Sequence, residues 1–183
     1  MNRADLARTW DLCRAHDILL VSDECYADIW RDEAPASLLE VATEGVLVIH
    51  SLSKRSGMTG YCSAAVIGDP AWIAAFDKLR SNLVNGPQDF VNAAAVAAWD
   101  DDAHVQARRE RLGTRVERLR AFLVQAGYEV TASEAALYLW VRAPGGRTGL
   151  EWATELLQHG ILVAPGDFFG RTEAGRYHVR LAT

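Results

Sequence analysis

Lys54 is the residue best placed for covalent chemistry. It stands in Ser51-Leu52-Ser53-Lys54-Arg55-Ser56-Gly57-Met58-Thr59-Gly60, just past the short apolar run Val46-Leu47-Val48-Ile49. A lysine amine is mostly protonated near neutral pH and becomes useful when a site lowers its pKa or commits it to a Schiff base. Upstream, a second apolar run, Ile18-Leu19-Leu20-Val21, ends in Ser22-Asp23-Glu24-Cys25-Tyr26. Both runs have strand length, and ligands in open α/β sheets bind where strands end at their carboxyl edge. Two strands would then deliver Asp23, Tyr26, Ser51, Ser53 and Lys54 to one rim. An amine for an aldehyde, a carboxylate for a ring nitrogen and hydroxyls for a phosphate form the set that pyridoxal 5'-phosphate requires. Singly, each residue has a plainer reading: a loop lysine, a turn-capping aspartate, a half-buried tyrosine, turn serines.

Asp23-Glu24-Cys25-Tyr26 followed by Ser51-Leu52-Ser53-Lys54 resembles the fold-type I pyridoxal-phosphate aminotransferases of class I/II. The wording Arg55-Ser56-Gly57-Met58-Thr59-Gly60-Tyr61 looks most like the succinyldiaminopimelate aminotransferase branch. The resemblance runs over essentially the whole chain, which matches the second half of such an enzyme. It implies that Lys54 holds the cofactor and later shuttles a proton, that Asp23 faces the pyridine nitrogen, and that Tyr26 bonds the ring's phenolic oxygen. Ser51 and Ser53 fall in the phosphate-contacting region. Arg180, in His178-Val179-Arg180-Leu181, matches the arginine that clamps the substrate carboxylate, a task suited to a planar fork of donors. The resemblance further implies amino-acid and 2-oxo-acid substrates and a family habit of homodimerisation that a truncated chain need not share.

Two positions depart from the family pattern. Cys62 stands where the family has a phosphate-binding arginine, and Ala64 where it has glycine. Together with the absent first half, they support an alternative: a truncated, catalytically inactive homologue with weak or no cofactor binding. A rival enzyme reading takes Ser51 and Lys54 as an S-x-x-K pair with Ser51 as nucleophile. It needs a helix opening at Ser51, which Gly57 and Gly60 argue against, and no K-T-G follows.

The remaining chemistry-bearing residues are dispersed. Three cysteines, Cys13, Cys25 and Cys62, form no C-x-x-C pair, and five histidines lack metal-ligand spacing, so no metal is expected. A net charge of −5 gives no reason to expect nucleic acid as partner, although six arginines line one helical stretch from Arg108 to Arg120. That stretch is read as a solvated helix face. No run is long and apolar enough for a membrane span and no secretory signal opens the chain, so a cytoplasmic location is expected.

The elements that must position these residues follow from pattern. Asp5–Ala15 reads as a helix with Asn2 or Asp5 as cap, and Pro35–Ala42 as a short helix between the two strands. Strand, helix, strand makes a βαβ unit with parallel strands. Ser63–Gly68 is a third strand. Asp69-Pro70 opens a helix with Trp72, Ile73, Phe76 and Leu79 on one face, Asn85-Gly86-Pro87 is a loop, and Asp89–Ala98 is a second helix. From Ala103 to Ala126 an apolar stripe runs through Leu112, Val116, Leu119 and Leu123. Strands at Tyr128–Thr131, Leu137–Val141, Ile161–Val163 and Tyr177–Leu181 surround a helix over Leu150–His159 closed by Gly160. The expected fold is α/β: part of a PLP-transferase large domain with a mainly parallel sheet (residues 1–102), followed by a smaller α+β C-terminal domain (103–183).

Overall fold

The computed structural model describes residues 1–83, 86–131, 137–170 and 173–183. Asn85 of the expected loop lies outside them. The chain divides into two compact units, Met1–Arg108 and Arg109–Thr183, and each is treated by itself.

The first unit opens with α1 (Arg3–Ala15). Asn2 caps it, its side-chain oxygen accepting the Asp5 N–H at 2.9 Å. Ile18 lies past the end of this helix and closes it, its N–H reaching the Cys13 carbonyl at 2.9 Å. The strand expected from Ile18 therefore begins later, as β1 (Leu20–Asp23). β2 (Val46–Ser51) lies parallel to it, with Leu20 opposite Val46 and Asp23 opposite Ile49. The connection between them corrects the expected helix over Pro35–Ala42. Only one 3-10 turn forms, Leu38–Glu40, held by a reciprocal capping box between Ser37 and Glu40. Leu38 on that turn is fully buried and, with Leu6, Val46 and Val48, makes the core of this unit.

α2 (Leu52–Arg55) follows β2 without a gap. β3 (Ala64–Gly68) then returns antiparallel to β2, so the sheet has the order β1-β2-β3 and this portion of it is mixed. Gly68 is required here, since its φ is +148° and a Cβ would overlap the Val46 carbonyl. α3 (Pro70–Leu83) starts where Asp69 Oδ1 accepts the Ala71 N–H at 2.8 Å. Its apolar face forms as expected but does not pack: Trp72 and Phe76 stay more than 40% exposed and Leu79 57%. α4 (Asp89–Trp99) contributes Val91 and Ala95 to buried positions.

α5 (Ala103–Gln125) begins at the cap Asp101, and the unit division falls between Arg108 and Arg109 within this helix. In the second unit, β4 (Val130–Thr131), β5 (Tyr138–Arg142), β6 (Ala164–Pro165) and β7 (His178–Ala182) form an antiparallel sheet of order β4-β5-β7-β6. The strand expected at Ile161–Val163 is displaced to Ala164, leaving Leu162 85% exposed. α6 (Gly149–Gln158) and the short α7 (Glu173–Arg176) complete the unit. Val116 and Leu123 of α5 pack with Leu139, Val141, Trp152 and Val179 into one core.

Candidate active site

The parallel pair β1/β2 places the first candidates. Asp23 is the last residue of β1, and its Oδ1 accepts the Cys25 N–H at 3.1 Å, an Asx turn that folds the chain over the strand end. Tyr26 sits on the next turn, where its carbonyl accepts the Ile29 N–H. β2 runs on to Ser51, which caps α2 by accepting the Ser53 N–H at 3.1 Å. Lys54 is therefore on a turn of helix, not in a loop. The glycines do not bar that turn; Gly57, at φ +72°, ends it. The argument from glycine against an S-x-x-K pair thus fails. What stands against the pair is that the Ser51 hydroxyl is engaged by the Ser53 N–H and, at 3.4 Å, by the Ser63 carbonyl.

Electrostatics tie the acid and the amine to one spot. The neighbouring Cys25 side chain and the Cys25 N–H hold the Asp23 carboxyl below the usual carboxylate range, against a smaller opposing effect of burial. The thiol itself is pushed up to about 11, first by burial, then by its bond to Asp23 and that group's charge; the Lys54 charge pulls the other way. Asp23 and Lys54 therefore act on the same sulfur with opposite sign. The Lys54 Nζ also lies 5.9 Å from the Tyr26 ring centroid. Asp23, Tyr26 and Lys54 converge on the carboxyl edge of β1/β2, with Ser51 and Ser53 immediately before the lysine.

Arg180 belongs to the second unit. It lies on β7 between Trp140 of β5 and Ala164 of β6. Its guanidinium carbon lies 4.2 Å from the ring centroids of both Tyr138 and Phe169. Two aromatic rings attract the guanidinium charge.

Several neighbours escaped the reading from sequence. Arg108, read as part of a solvated face, donates from Nε to the Lys54 carbonyl at 3.0 Å. Arg55 is buried, with Asp102 at 2.7 Å and the Trp99 ring at 5.1 Å. His104 Nε2 lies 2.9 Å from the Ser56 hydroxyl. No local pattern could reveal contacts spanning some fifty residues. One signal was available: the chain has only two lysines, Lys54 and Lys78, among seventeen arginines.

The donor set suits a pyridoxal phosphate ring. The acid is held ionised, and the ends of β1 and β2 bring an amine and a phenol to the same edge. The phosphate end is less well supplied. Cys62 is exposed, has the left-handed φ of +50° and directs its sulfur to the Thr59 carbonyl at 3.6 Å, so it brings no cation. It borders a cleft of about 1300 Å³ that Ile73, Phe76 and Val91 also line. Among the described residues no cluster of three or more His, Cys, Asp or Glu could hold a metal ion, and no helix is long and apolar enough to cross a membrane.

Parallel strands ending in an acid and a lysine turn, beside an antiparallel third strand, define the class. The aminotransferase class I and II family matches residues 1–182, and the chain belongs to that family. A 4-dedimethylamino-4-oxo-anhydrotetracycline transaminase of Streptomyces rimosus is 42% identical over 92% of this chain and 47% of its own length. An LL-diaminopimelate aminotransferase of Nitratidesulfovibrio vulgaris is 32% identical over 93% of this chain and 46% of its own. Among solved structures, an aminotransferase of Neisseria meningitidis superposes with a TM-score of 0.84 at 32% identity, over 97% of this chain and 48% of that one. The chain spans about half the length of the curated relatives it matches, and its fold is the corresponding part of the aminotransferase fold.

Proposed function

We propose that this chain is the lysine-bearing part of a pyridoxal-phosphate aminotransferase whose whole moves an amino group between an amino acid and a 2-oxo acid. The observation that carries it is that the parallel neighbours β1 and β2 end in Asp23 and in the turn bearing Lys54, whose Nζ lies 5.9 Å from the Tyr26 ring. When bound, pyridoxal phosphate supplies an aldehyde that condenses with amines and a protonated ring that accepts electrons. Lys54 Nζ would hold that aldehyde and, once displaced by substrate, would carry the proton of the substrate α-carbon to the cofactor's C4′. Asp23, kept ionised by Cys25, holds the proton on the ring nitrogen. Tyr26 would hydrogen-bond the ring's phenolic oxygen, and Ser51 and Ser53 would serve the phosphate end. Arg180 would take the substrate carboxylate, its guanidinium already flanked by Tyr138 and Phe169. The division at residues 102/103 into cofactor and smaller domains belongs to the same proposal, as do a homodimer and a cytoplasmic setting suited to unpaired cysteines.

For the amino donor we propose an N-acylated diamino acid of the succinyldiaminopimelate kind. The Arg55–Tyr61 wording supports the acylated donor, and the LL-diaminopimelate relative supports only its diamino acid part. A donor panel scored by 2-oxo-acid formation in the whole protein tests this choice; indifference to the acyl group would reject it.

The test of the main reading is capture of the cofactor. Mixed with pyridoxal phosphate and reduced with borohydride, the chain should carry one pyridoxyl group on the Lys54 peptide and far less on that of Lys78. Equal labelling of both lysines would sink the reading. Cys62 favours the second one, an inactive homologue, for which no stoichiometric label forms.

A further inference from the structure

α2 has four residues, too few to hold itself by its own hydrogen bonds, and its last carbonyls lack helical partners. Leu52 keeps one helical bond, and the carbonyls of Ser53 and Lys54 are met by side chains from outside the turn. The Leu52 carbonyl accepts from the Ser56 and Met58 N–H groups. The Ser53 carbonyl accepts from Thr59 Oγ1 at 3.4 Å. The Lys54 carbonyl accepts from Arg108 Nε at 3.0 Å, and that residue lies two turns into α5. The next two residues are gripped from the same direction, Arg55 by Asp102 and Ser56 by His104. Of these contacts, Arg108 lands on Lys54 itself.

Gly57 makes room for it. A Cβ at that position would stand 2.9 Å from Arg108 Nη1 and 3.2 Å from Cζ. The glycine therefore has two roles: the left-handed φ that ends the turn, and clearance for a guanidinium laid against it.

We propose that Arg108 is a positioning residue for Lys54. Its charged Nε–H fixes the lysine carbonyl, so the place of the amine over Tyr26 is set by the lysine's own side-chain torsions and not by drift of the turn. The geometry stands independently of the function proposed above; its catalytic consequence rests on that reading. A displacement of about 1 Å at a reacting group costs about a hundredfold in rate, so a loose turn would be felt.

The test uses the full chain with its amines reductively methylated with ¹³C-formaldehyde, which gives NMR lines from Lys54, Lys78 and the Met1 amino group, the Lys54 line being the one lost in Lys54→Arg. Without cofactor, Arg108→Ala should move the Lys54 line to the position of free methylated lysine and leave the Lys78 line in place. Arg108→Lys should not restore it, because charge without the guanidinium plane cannot lie over Gly57. Gly57→Ala should give the same movement, and the double variant no more than Arg108→Ala alone. An unmoved Lys54 line in Arg108→Ala, full restoration by lysine, or additive shifts in the double variant would each overturn the proposal. Should the alanine variant not fold, Arg108→Lys is read in its place, against the same wild-type line.

The rate of pyridoxal phosphate capture at Lys54 is then compared in the same variants, with a drop of about tenfold or more expected for Arg108→Ala. A wild type that captures nothing while its Lys54 line responds to Arg108 would defeat the functional reading and leave the positioning role intact.

Discussion

Cys25 feels the charges of both Asp23 and Lys54, and its chemistry reports on both. Burial and Asp23 push its thiol up to about 11, so at pH 8 roughly one molecule in a thousand carries the thiolate. Cys62 is exposed. Iodoacetamide at pH 8 should therefore modify Cys62 first, and labelling of Cys25 should rise about tenfold per pH unit up to pH 10, read from peptide masses. Early labelling of Cys25 would mean that burial and Asp23 together do not hold its thiol protonated. The same shift has a sign for stability. Above about pH 9 the unfolded chain loses the thiol proton that the folded chain keeps, so folding weakens as pH rises toward 11. Asp23 works from the acid side: its lowered pKa stabilises the fold above the ordinary carboxylate range, and that contribution is lost as pH falls through the folded value. At Cys62 the expectation concerns cofactor. One charge-assisted hydrogen bond contributes about 1.5–3 kcal/mol, so Cys62→Arg should tighten pyridoxal phosphate binding about ten- to hundredfold by titration. No gain would show that the phosphate end lacks more than this residue. These residue types were legible in the sequence because a lysine, an acid and a tyrosine at strand ends suit one cofactor. Arg108, Arg55 and His104 were not, because their partners lie far along the chain.

Strand-forming runs were read well wherever burial fixed them. Val46, Leu47 and Val48 are all buried in succession, as expected for a strand covered on both faces, and β2 formed where its pattern put it. Errors fell where caps outweighed periodicity. Ser37 and Glu40 satisfy each other across a single turn, so the run from Pro35 to Ala42 stops after three residues. Ser51 likewise starts a turn that two nearby glycines suggested could not exist. Backbone clearance was invisible beforehand, and α6 shows its importance. Gly149, the first residue of that helix, lies so close to β7 that a Cβ would overlap the His178 carbonyl. Gly149→Ala should therefore lift α6 from the sheet that carries Arg180, with a loss of about 3 kcal/mol or more. Thr148→Ala, which removes only the cap, should cost about 1 kcal/mol. Urea midpoints followed by tryptophan fluorescence separate the two, since Trp152 sits in the core that α6 covers. Equal losses would mean that the approach of Gly149 to β7 is not what seats the helix.

Across the molecule, apolar surface is distributed unevenly, and stability should follow that distribution rather than the hydrophobicity of the sequence. α3 carries the apolar face its spacing predicts, yet no described residue of the helix is buried. Leu79 is 57% exposed, whereas Leu38, on a single 3-10 turn, is 0% exposed. The sequence ranks these two leucines the other way, because a long amphipathic helix is the stronger pattern. Burial on the folded chain decides the energetics. Leu38→Ala removes side-chain atoms from the packed core of Leu6, Val46 and Val48 and should cost about 2–5 kcal/mol. Leu79→Glu places a charge where water already reaches and should stay within about 0.5 kcal/mol of the parent. Thermal midpoints measure both. The glutamate variant should also bind less of a hydrophobic dye, because the patch formed by Trp72, Phe76 and Leu79 would be interrupted by charge. If Leu79→Glu unfolds the chain as Leu38→Ala does, then α3 is packed in solution. Its periodicity would then have been the better guide to burial.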